Sequence, residues 1–368
     1  MIEPDFWKGK RVFVTGHTGF KGSWLCQWLL LMGADVCGYS LEPPTNPNLF
    51  SIIGLEREMR SLRGDIRDAK AVERAMCDFK PEIVFHLAAQ ALVRLSYQEP
   101  RLTYETNVIG SLNLYEAVRV CDSVRAVVSI TTDKCYENRE WVWGYRENDP
   151  MGGYDPYSSS KGCAELLSAA YRCSYFNPVQ YGKTHHVALA TARAGNVIGG
   201  GDWAMDRLLP DCIRSLEKRD IIPIRSPNAI RPWQHVLEPL YGYLVLAEHL
   251  GGEGSAFGEG WNFGPGDSGV MSVKEVVRNA IKFWGEGAFA IAPDADLHEA
   301  QLLKLDPSKS RARLGWSTVL DAISSIEWTV SWYRNYCQQG DAARLTKEQI
   351  TNYESLLKKL GSARNESI

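Results

Sequence analysis

Thr15-Gly16-His17-Thr18-Gly19-Phe20-Lys21-Gly22-Ser23 is the stretch that decides the fold of this chain. It follows a short apolar run (residues 11–15) that predicts a β-strand, and it leads into an apolar segment (23–32) that predicts a helix. The glycines have GxxGxxG spacing, so the turn can be tight and its backbone can approach a phosphate closely. The N-terminus of the next helix adds N–H groups and a positive dipole end. A plain turn with close helix packing is the alternative, but the place of the loop between first strand and first helix favours dinucleotide binding.

Further apolar runs alternate with amphipathic stretches along the first half of the chain. Strands are predicted at residues 35–40, 82–87, 125–131 and 186–191, and helices at 70–78, 103–120 and 157–175. Continuous apolar strands separated by helices indicate a parallel sheet covered on both faces. Right-handed crossovers wind such a sheet into a doubly wound, Rossmann-type α/β fold, which is the fold class we expect.

The composition of the sequence changes after Arg193: glycine becomes frequent, and strands are harder to recognise. We expect a dinucleotide-binding domain over residues 1–193 with a return segment at about 235–265. A smaller, interleaved substrate-binding domain is expected over 194–234 and 266–338, followed by a C-terminal helix and tail over 339–368. One face of that helix carries Ile350, Tyr353, Leu356, Leu357 and Leu360, and the last seven residues are expected to fray.

Bulk composition excludes several classes of protein. The net charge is -3 and the pI is about 6.2. The chain therefore lacks the excess of basic residues that would indicate binding to nucleic acid or to a membrane surface. The 9 cysteines show no metal-ligand spacing, which predicts free thiols, no metal site and a reducing compartment. The N-terminus carries acids where a signal peptide needs cations, and the most apolar helix is too short to span a bilayer, so we expect a cytoplasmic protein.

Three more segments predict where the rest of a dinucleotide would lie. Asp65, with Ile66 after a short strand, could hold an adenine, unless it is only a solvated turn residue. The small residues in Leu87-Ala88-Ala89-Gln90 let the backbone pass under a cofactor. Ser40, at the tip of the second strand, can bind a ribose hydroxyl, and no Arg stands in that strand tip to pair with a 2′-phosphate. This favours NAD over NADP.

A second motif, Tyr157-Ser158-Ser159-Ser160-Lys161, predicts proton transfer. Its YxxxK spacing puts Tyr157 and Lys161 on one face of a helix. A nearby ammonium lowers the pKa of a phenol from about 10, so Tyr157 could accept a proton from a substrate hydroxyl. A helix surface pair would look the same, but the Thr-rich strand end upstream, at Thr132, supports an active site.

Asp133 and Lys134 follow Thr132 directly. A simple epimerase or dehydrogenase needs only the hydroxyl and the Tyr/Lys pair. An acid and a base beside them indicate an elimination embedded in a redox cycle. The alternative is a surface loop with a local ion pair.

These residues resemble the CDP-glucose 4,6-dehydratases, a family of extended short-chain dehydrogenases/reductases. The matching segments are 6–10, 16–24, 38–41, 43–45, 132–138, 152–161, 193–203 and 231–236. Lys134 is the sharpest marker, because sister dehydratases that act on dTDP-glucose typically carry Glu at this position.

The resemblance implies an NAD-dependent lyase that acts on CDP-glucose. Tyr157, helped by Lys161 and Thr132, takes the 4-hydroxyl proton while NAD oxidises C4. Asp133 then protonates the departing 6-hydroxyl. Hydride returns to C6 and a proton to C5 to give CDP-4-keto-6-deoxyglucose, a precursor in deoxysugar biosynthesis such as that of O-antigens. Lys134 either removes the C5 proton or stays charged and stabilises the enolate; the sequence leaves both open.

The resemblance also implies which residues bind the substrate and how the chain assembles. Asn196 and Arg231 face the nucleotide sugar, and Arg207 is a second candidate for the diphosphate, unless either Arg is a surface ion pair. Asn107 orients the active site in related enzymes, although it could be a structural cap. A homodimer, or a dimer of dimers, packs through the helices at 103–120 and 157–175.

Two rival functions remain at this stage. One is another nucleotide-sugar enzyme of the same fold, either a 4-epimerase or a dehydratase for a different nucleotide, and Asp133 with Lys134 argues against the epimerase. The other is a non-catalytic NAD-binding regulator, which would commonly lose Tyr157 or Lys161.

Overall fold

The computed structural model of the protein describes residues 2–266, 269–292 and 302–365. Its strands are β1 (Arg11–Thr15), β2 (Asp35–Ser40), β3 (Arg60–Arg63), β4 (Ile83–His86), β5 (Ala126–Ile130), β6 (Ala188–Ala194), β7 (Asn196–Ile198), β8 (Ile222–Ile224), β9 (Ile230–His235), β10 (Gly260–Phe263), β11 (Val270–Ser272) and β12 (Phe289–Ile291). Its α-helices are α1 (Pro4–Trp7), α2 (Phe20–Leu31), α3 (Leu49–Ile52), α4 (Ala69–Phe79), α5 (Val93–Gln98), α6 (Pro100–Tyr104), α7 (Gly110–Val120), α8 (Pro156–Ser174), α9 (Leu208–Lys218), α10 (Leu237–Glu253), α11 (Val273–Trp284), α12 (Ser308–Leu314), α13 (Ala322–Cys337) and α14 (Ala342–Asn365).

The main sheet has seven strands in the order β10-β6-β5-β4-β1-β2-β3, and every neighbouring pair is parallel. The chain runs outward from β1 to β3 and then returns to β4 on the other side of β1. Connections on the two sides of β1 therefore diverge, which opens a crevice at the carboxyl ends of β1 and β4. This arrangement confirms the doubly wound α/β fold.

Helices cover both faces of this sheet because successive strand residues point to opposite sides. In β1, Val12 and Val14 belong to one large apolar cluster with α2 and α10. Phe13 between them belongs to a second cluster with α4 and α7. Side chains of β1 are thus buried on both faces, as the continuous apolar run predicted.

The chain leaves the main sheet after β6 and re-enters it once. Strands β11-β9-β7 form a three-stranded sheet, and β12-β8 form a two-stranded one. After β9 and α10, strand β10 pairs with β6 at the edge of the main sheet. The expected division into two domains at residues 193, 235 and 265 stays a prediction, although the return of the chain lies where it was expected.

Two helical predictions need correction in detail. The stretch expected as one helix over 103–120 contains a π-helical segment, Glu105–Ile109, between α6 and α7. Helix α14 continues to Asn365 and so includes residues expected to fray; residues 366–368 lie outside the described chain. Within the described ranges, no helix has the length and apolar character needed to cross a membrane.

Candidate active site

The glycine loop forms a tight cradle at the crevice between β1 and β4. Gly16 has φ +76°, and a Cβ there would lie 2.7 Å from the backbone nitrogen of Ala88. A Cβ on Gly22 would lie 2.2 Å from the carbonyl oxygen of Gly16. Helix α2 begins after Gly19 without a side-chain cap, so its N-terminus is open to a ligand. The backbone of residues 16–22 therefore fits a pyrophosphate group.

Hydrogen bonds fix both sides of this crevice. Thr15 Oγ1 lies 2.7 Å from Nδ1 of His86 and accepts a bond of 3.2 Å from the Ala88 N–H. His86 Nε2 lies 3.0 Å from the Ser111 hydroxyl. Leu87, Ala88 and Ala89 follow β4 as half-buried residues beside the loop, as the small-residue run predicted.

Not every loop side chain points toward the crevice. His17 packs under the loop: its Nε2 lies 2.8 Å from the Ser61 hydroxyl, and its ring fills the space that a side chain on Gly38 would need. Burial lowers the pKa of His17 to about 4. Its side chain is thus engaged within the protein, and its role in cofactor binding stays a prediction. The Phe20 ring likewise packs against the protein: its Cζ lies 3.1 Å from where a Cβ on Gly199 would be.

The predicted adenine end differs from expectation. Both oxygens of Asp65 accept hydrogen bonds from Arg67, including one of 2.6 Å from Nη2. That bond holds the pKa of Asp65 below its ordinary value. The carboxylate is thus engaged in a local ion pair, close to the solvated-turn alternative. Ile66 is buried against Gly110.

An arginine lies beside the tip of β2, although none stands in its sequence. Ser40 bonds to Thr18 at 2.8 Å and is the register partner of Arg63 on β3. Arg63 pairs with Glu42 at 3.0 Å and with Glu56 at 3.3 Å. The tip of β2 itself contains no Arg, as the sequence indicated, but strand pairing brings Arg63 beside it, where Glu42 and Glu56 neutralise its charge.

The predicted catalytic residues come together at the carboxyl end of β5. Thr132, Asp133, Tyr157 and Lys161 are all buried, and Lys134 is half-buried. Thr132 Oγ1 donates to Asp133 Oδ1 at 2.9 Å, and Lys161 Nζ donates to the Ile130 carbonyl at 3.2 Å. Helix α8 starts at Pro156 because the Asp155 side chain caps it, so Tyr157 and Lys161 lie on its first two turns.

Asp133 is a buried carboxyl group at the end of β5. Burial raises its pKa, although the charges of Lys134 and Arg231 oppose the shift. Its other oxygen lies against the backbone between β6 and β7, where a Cβ on Gly195 would be 2.9 Å from Asp133 Oδ2. Only glycine leaves room there for the carboxyl group.

The titration of Tyr157 differs from the prediction. Burial raises its pKa to about 12, although a hydrogen bond with Thr132 and the charge of Arg207 lower it. Burial lowers the pKa of Lys161 to about 8. The phenol therefore keeps its proton in the ligand-free protein, because loss of hydration outweighs the nearby cations.

Several cations line the crevice opposite these groups. Arg207 pairs with the buried Asp202 at 2.8 Å. Burial and the charge of Arg207 lower the pKa of Lys21 to about 7. Arg231, on β9, donates to the Ile230 carbonyl at 2.9 Å, and Asn196 begins β7 beside it in the same small sheet. This cluster suits a diphosphate.

The Asn107 side chain is engaged within the protein. It is buried in the π-helical segment, and its amide oxygen accepts from the Gln90 N–H at 2.9 Å. Its amide nitrogen donates to the Gln90 carbonyl at 3.0 Å and to Ser160 at 2.8 Å. Asn107 therefore ties the β4 loop to helix α8, which suits an orienting role. The Gln90 side chain also donates to the Thr103 hydroxyl and so supports the loop, while its role in cofactor binding stays a prediction.

The sequence did not reveal a buried ion pair below the site. Glu165 and Arg193 join α8 to β6 through Arg193 Nη2 and Glu165 Oε2 at 2.8 Å. Arg193 Nη1 also donates to the Tyr136 hydroxyl at 2.6 Å. The one available signal was that Glu165 stands four residues after Lys161, on the same helix face.

Comparisons with known proteins agree with this site. The family model described as GDP-mannose 4,6-dehydratase matches residues 13–322. A CDP-glucose 4,6-dehydratase from Salmonella typhimurium is 54% identical over 96% of this chain and 99% of its own length. A dTDP-glucose 4,6-dehydratase from Streptomyces griseus is 28% identical over 88% of this chain and 94% of its own.

Solved structures share the fold. A dTDP-glucose 4,6-dehydratase from Streptomyces venezuelae superposes with a TM-score of 0.75 at 23% identity, covering 90% of this chain and 99% of that one. A UDP-glucose 4-epimerase from Thermus thermophilus gives a TM-score of 0.74 at 25% identity, covering 88% and 99%. The family model and the Salmonella typhimurium relative agree with the crevice and the Tyr157/Lys161 pair. This chain therefore belongs to the nucleotide-sugar 4,6-dehydratases, in the family that contains the CDP-glucose enzyme.

Proposed function

We propose that the protein converts CDP-glucose to CDP-4-keto-6-deoxyglucose. The observation that carries the proposal is Asp133, a buried carboxyl with a raised pKa beside Thr132, at the strand end where Tyr157 also lies. A proton donor is needed for loss of water but not for epimerisation at C4. The similarity to the Salmonella typhimurium CDP-glucose enzyme supports the choice of nucleotide.

NAD is the cofactor that we propose. The cradle at Gly16 and Gly22 and the uncapped start of α2 fit its pyrophosphate, and the crevice lies at the switch point of the sheet. The Streptomyces venezuelae and Thermus thermophilus structures contain NAD. When bound, NAD supplies the hydride acceptor at C4 and the hydride donor at C6.

Tyr157 takes the proton of the 4-hydroxyl in this scheme. Burial raises the pKa of its phenol to about 12, so positive charge brought into the crevice favours its action as a base. Lys161, anchored on the Ile130 carbonyl, and Thr132 place the phenol and stabilise its anion.

Asp133 acts in the second stage, after a ketone at C4 has acidified the C5 proton. A base removes that proton, the bond between C6 and its oxygen breaks, and Asp133 gives its proton to the departing hydroxyl, which leaves as water. Lys134 stands beside Asp133 and either takes the C5 proton or stabilises the enolate. Loss of solvent-deuterium exchange at C5 in Lys134→Arg, with C4 oxidation intact, would support the first role.

Arg207, Arg231 and Asn196 bind the diphosphate and sugar in this proposal. Asp202 fixes the Arg207 guanidinium at 2.8 Å, so its planar fork is pre-oriented for two phosphate oxygens. Lys21, at the start of α2, adds a cation between this cluster and Asp133.

The experiment is incubation of the purified protein with NAD and, separately, CDP-glucose, dTDP-glucose and UDP-glucose. We expect a 4-keto-6-deoxy product from CDP-glucose only, identified by NMR. Tyr157→Phe should lower the rate by about 10²- to 10⁴-fold, since it removes the base. A 4-epimer instead of the ketone would refute elimination, and no turnover of any sugar by NAD-loaded protein would refute the function.

A homodimer, alone or paired into a dimer of dimers, is the assembly that we propose. Large apolar side chains are exposed on the helices expected to pair: Ile109, Val120, Leu166 and Tyr175 are 46%, 56%, 62% and 47% exposed. Burying such a patch favours association. Analytical ultracentrifugation of the wild type and of Leu166→Glu tests this, and a monomeric wild type would refute it.

The cytoplasm is the proposed location, with a role in supplying deoxysugars for polymers such as O-antigens. All 9 cysteines have free thiols in the structure, which suits a reducing compartment. Fractionation of cells with an antibody to the protein tests the location.

A further inference from the structure

Asp133 and Lys134 lie on a single 3-10 turn, Asp133–Cys135, that has little internal support. Its backbone bond from Cys135 N to the Thr132 carbonyl is 3.4 Å long, and the Lys134 N–H bond to Thr132 Oγ1 is also 3.4 Å. Bonds of this length are weak. The positions of the acid and of Lys134 must therefore be set by groups outside the turn.

Tyr136, directly after the turn, is strongly anchored. It is 1% exposed, and its hydroxyl donates to Asn262 Oδ1 at 2.7 Å and accepts from Arg193 Nη1 at 2.6 Å. Its ring stacks on Tyr145 with centroids 5.3 Å apart, and the Arg193 guanidinium lies 5.1 Å from its centroid. The ring and the hydroxyl are thus fixed independently.

Arg193 is itself fixed by Glu165. The guanidinium makes two parallel bonds to the carboxylate, at 2.9 Å and 2.8 Å, and both side chains are buried. Glu165 also accepts hydrogen bonds from Thr131 and Thr191. Thr131 lies immediately before Thr132, and Tyr136 follows the Asp133–Cys135 turn. The Glu165–Arg193 pair therefore holds the chain on both sides of this turn.

We propose that Tyr136, held by the Glu165–Arg193 pair, is a positioning residue that places Asp133 and Lys134 for the elimination step. The inference rests on the dehydratase function proposed above. Tyr157 and Lys161 lie on α8, and Lys161 is anchored on Ile130 instead. Oxidation at C4 therefore does not need the Tyr136 hydroxyl, whereas loss of water does.

The test compares Tyr136→Phe with Tyr145→Phe. Both changes remove one buried hydroxyl from the same aromatic stack, but only the first breaks the link to Arg193. With CDP-glucose and NAD, we expect Tyr136→Phe to lower product formation about tenfold. Because oxidation continues, reduced cofactor should accumulate. Stopped-flow measurement would detect it by the absorbance of reduced nicotinamide at about 340 nm. Tyr145→Phe should change both by less than about twofold.

Equal slowing of C4 oxidation and product formation in Tyr136→Phe, without accumulation, would overturn the proposal, as would equal losses in both variants. If Tyr136→Phe does not fold, Thr191→Val takes its place, because it removes one bond to Glu165 without changing side-chain shape. It should give the same accumulation with about a threefold slower product step. Turnover by the wild type is the separate test of the dehydratase function, so failure of either claim can be recognised.

Discussion

Two buried glutamates on opposite faces of the main sheet have pKa values that are shifted in opposite directions. Glu165, on α8, is bonded to Arg193, and that partner holds its pKa below the ordinary value although burial opposes it. Glu238, on α10, accepts hydrogen bonds from the N–H groups of Val319 and Leu320 and from the Tyr353 hydroxyl. All three partners are neutral, and burial raises its pKa to about 7.

The difference shows that burial alone does not set the charge of a core carboxyl. A cation within reach keeps Glu165 ionised. That negative charge partly offsets the effect of burial, which lowers the pKa of Lys161 one turn away to about 8. Neutral donors cannot offset the lost hydration of Glu238. The first face of the sheet thus carries a fixed charge beneath the active site, and the second carries a group that titrates near neutral pH.

The largest expected effect comes from Glu165→Gln. The change leaves the buried Arg193 guanidinium without its anionic partner, so the free energy of unfolding should fall by about 3–5 kcal/mol. Chemical denaturation at pH 6 measures this. Glu238→Gln is the matched control at that pH, where it should cost less than about 1 kcal/mol because the wild-type group is already mostly neutral. Equal losses would remove the contrast between the two sites.

Glu238→Gln should then reveal the pH dependence of the second site. In the unfolded chain the carboxyl ionises near its ordinary pKa of about 4.3, but in the folded protein it keeps its proton up to about pH 7. Its contribution to stability is therefore full below about pH 4.3 and is lost progressively as the pH rises to about 7, where the folded group ionises. Relative to wild type, the variant should gain on the order of 2–3 kcal/mol between about pH 5 and pH 8. A constant difference over that range would contradict the raised pKa.

The pH dependence of kcat/KM should show a smaller effect from Lys161, which lies on the same side of the main sheet as Glu165 and not on the side of Glu238. Because burial lowers its pKa to about 8, the ammonium is lost above that pH in the free enzyme. The ratio kcat/KM should therefore fall about tenfold per pH unit above this point. Lys161→Arg, which stays charged, should lose this alkaline decline, and Glu238→Gln should retain it. A flat wild-type profile to pH 10 would show that the lysine charge is not required.

The exposed carboxylates at the edge of β2 should show the smallest effect. Glu42 and Glu56, 76% and 69% exposed, neutralise Arg63 beside Ser40. The double change to Gln frees that cation for a 2′-phosphate, and the kcat/KM ratio of NADP to NAD should rise about two- to fivefold. Arg63→Gln in the same background should cancel the rise. No change would mean that Arg63 does not face the ribose.

Sequence reasoning reached the fold and most of the candidate catalytic residues because their signals are local. A strand, a glycine turn and a helix follow one another along the chain, and Tyr157 and Lys161 share a helix face through their spacing alone. Arg63 was missed because its neighbour Ser40 stands 23 positions earlier and pairs only through the sheet. Asn107 was predicted beside the site, but its partners could not be read from spacing, since its bonds run to Gln90 and Ser160.

The sequence by itself determined the doubly wound fold, the cradle at Gly16 to Gly22 and the choice of Asp133, Tyr157 and Lys161 as the candidate reacting groups. Those features depend on residue type and on spacing over a few positions. Tertiary structure alone decided the pKa values of the buried groups: those of Tyr157 and Glu238 are raised, and that of Glu165 is lowered. The reason is physical, because a pKa depends on lost hydration and on partners such as Arg193 that only folding brings within reach.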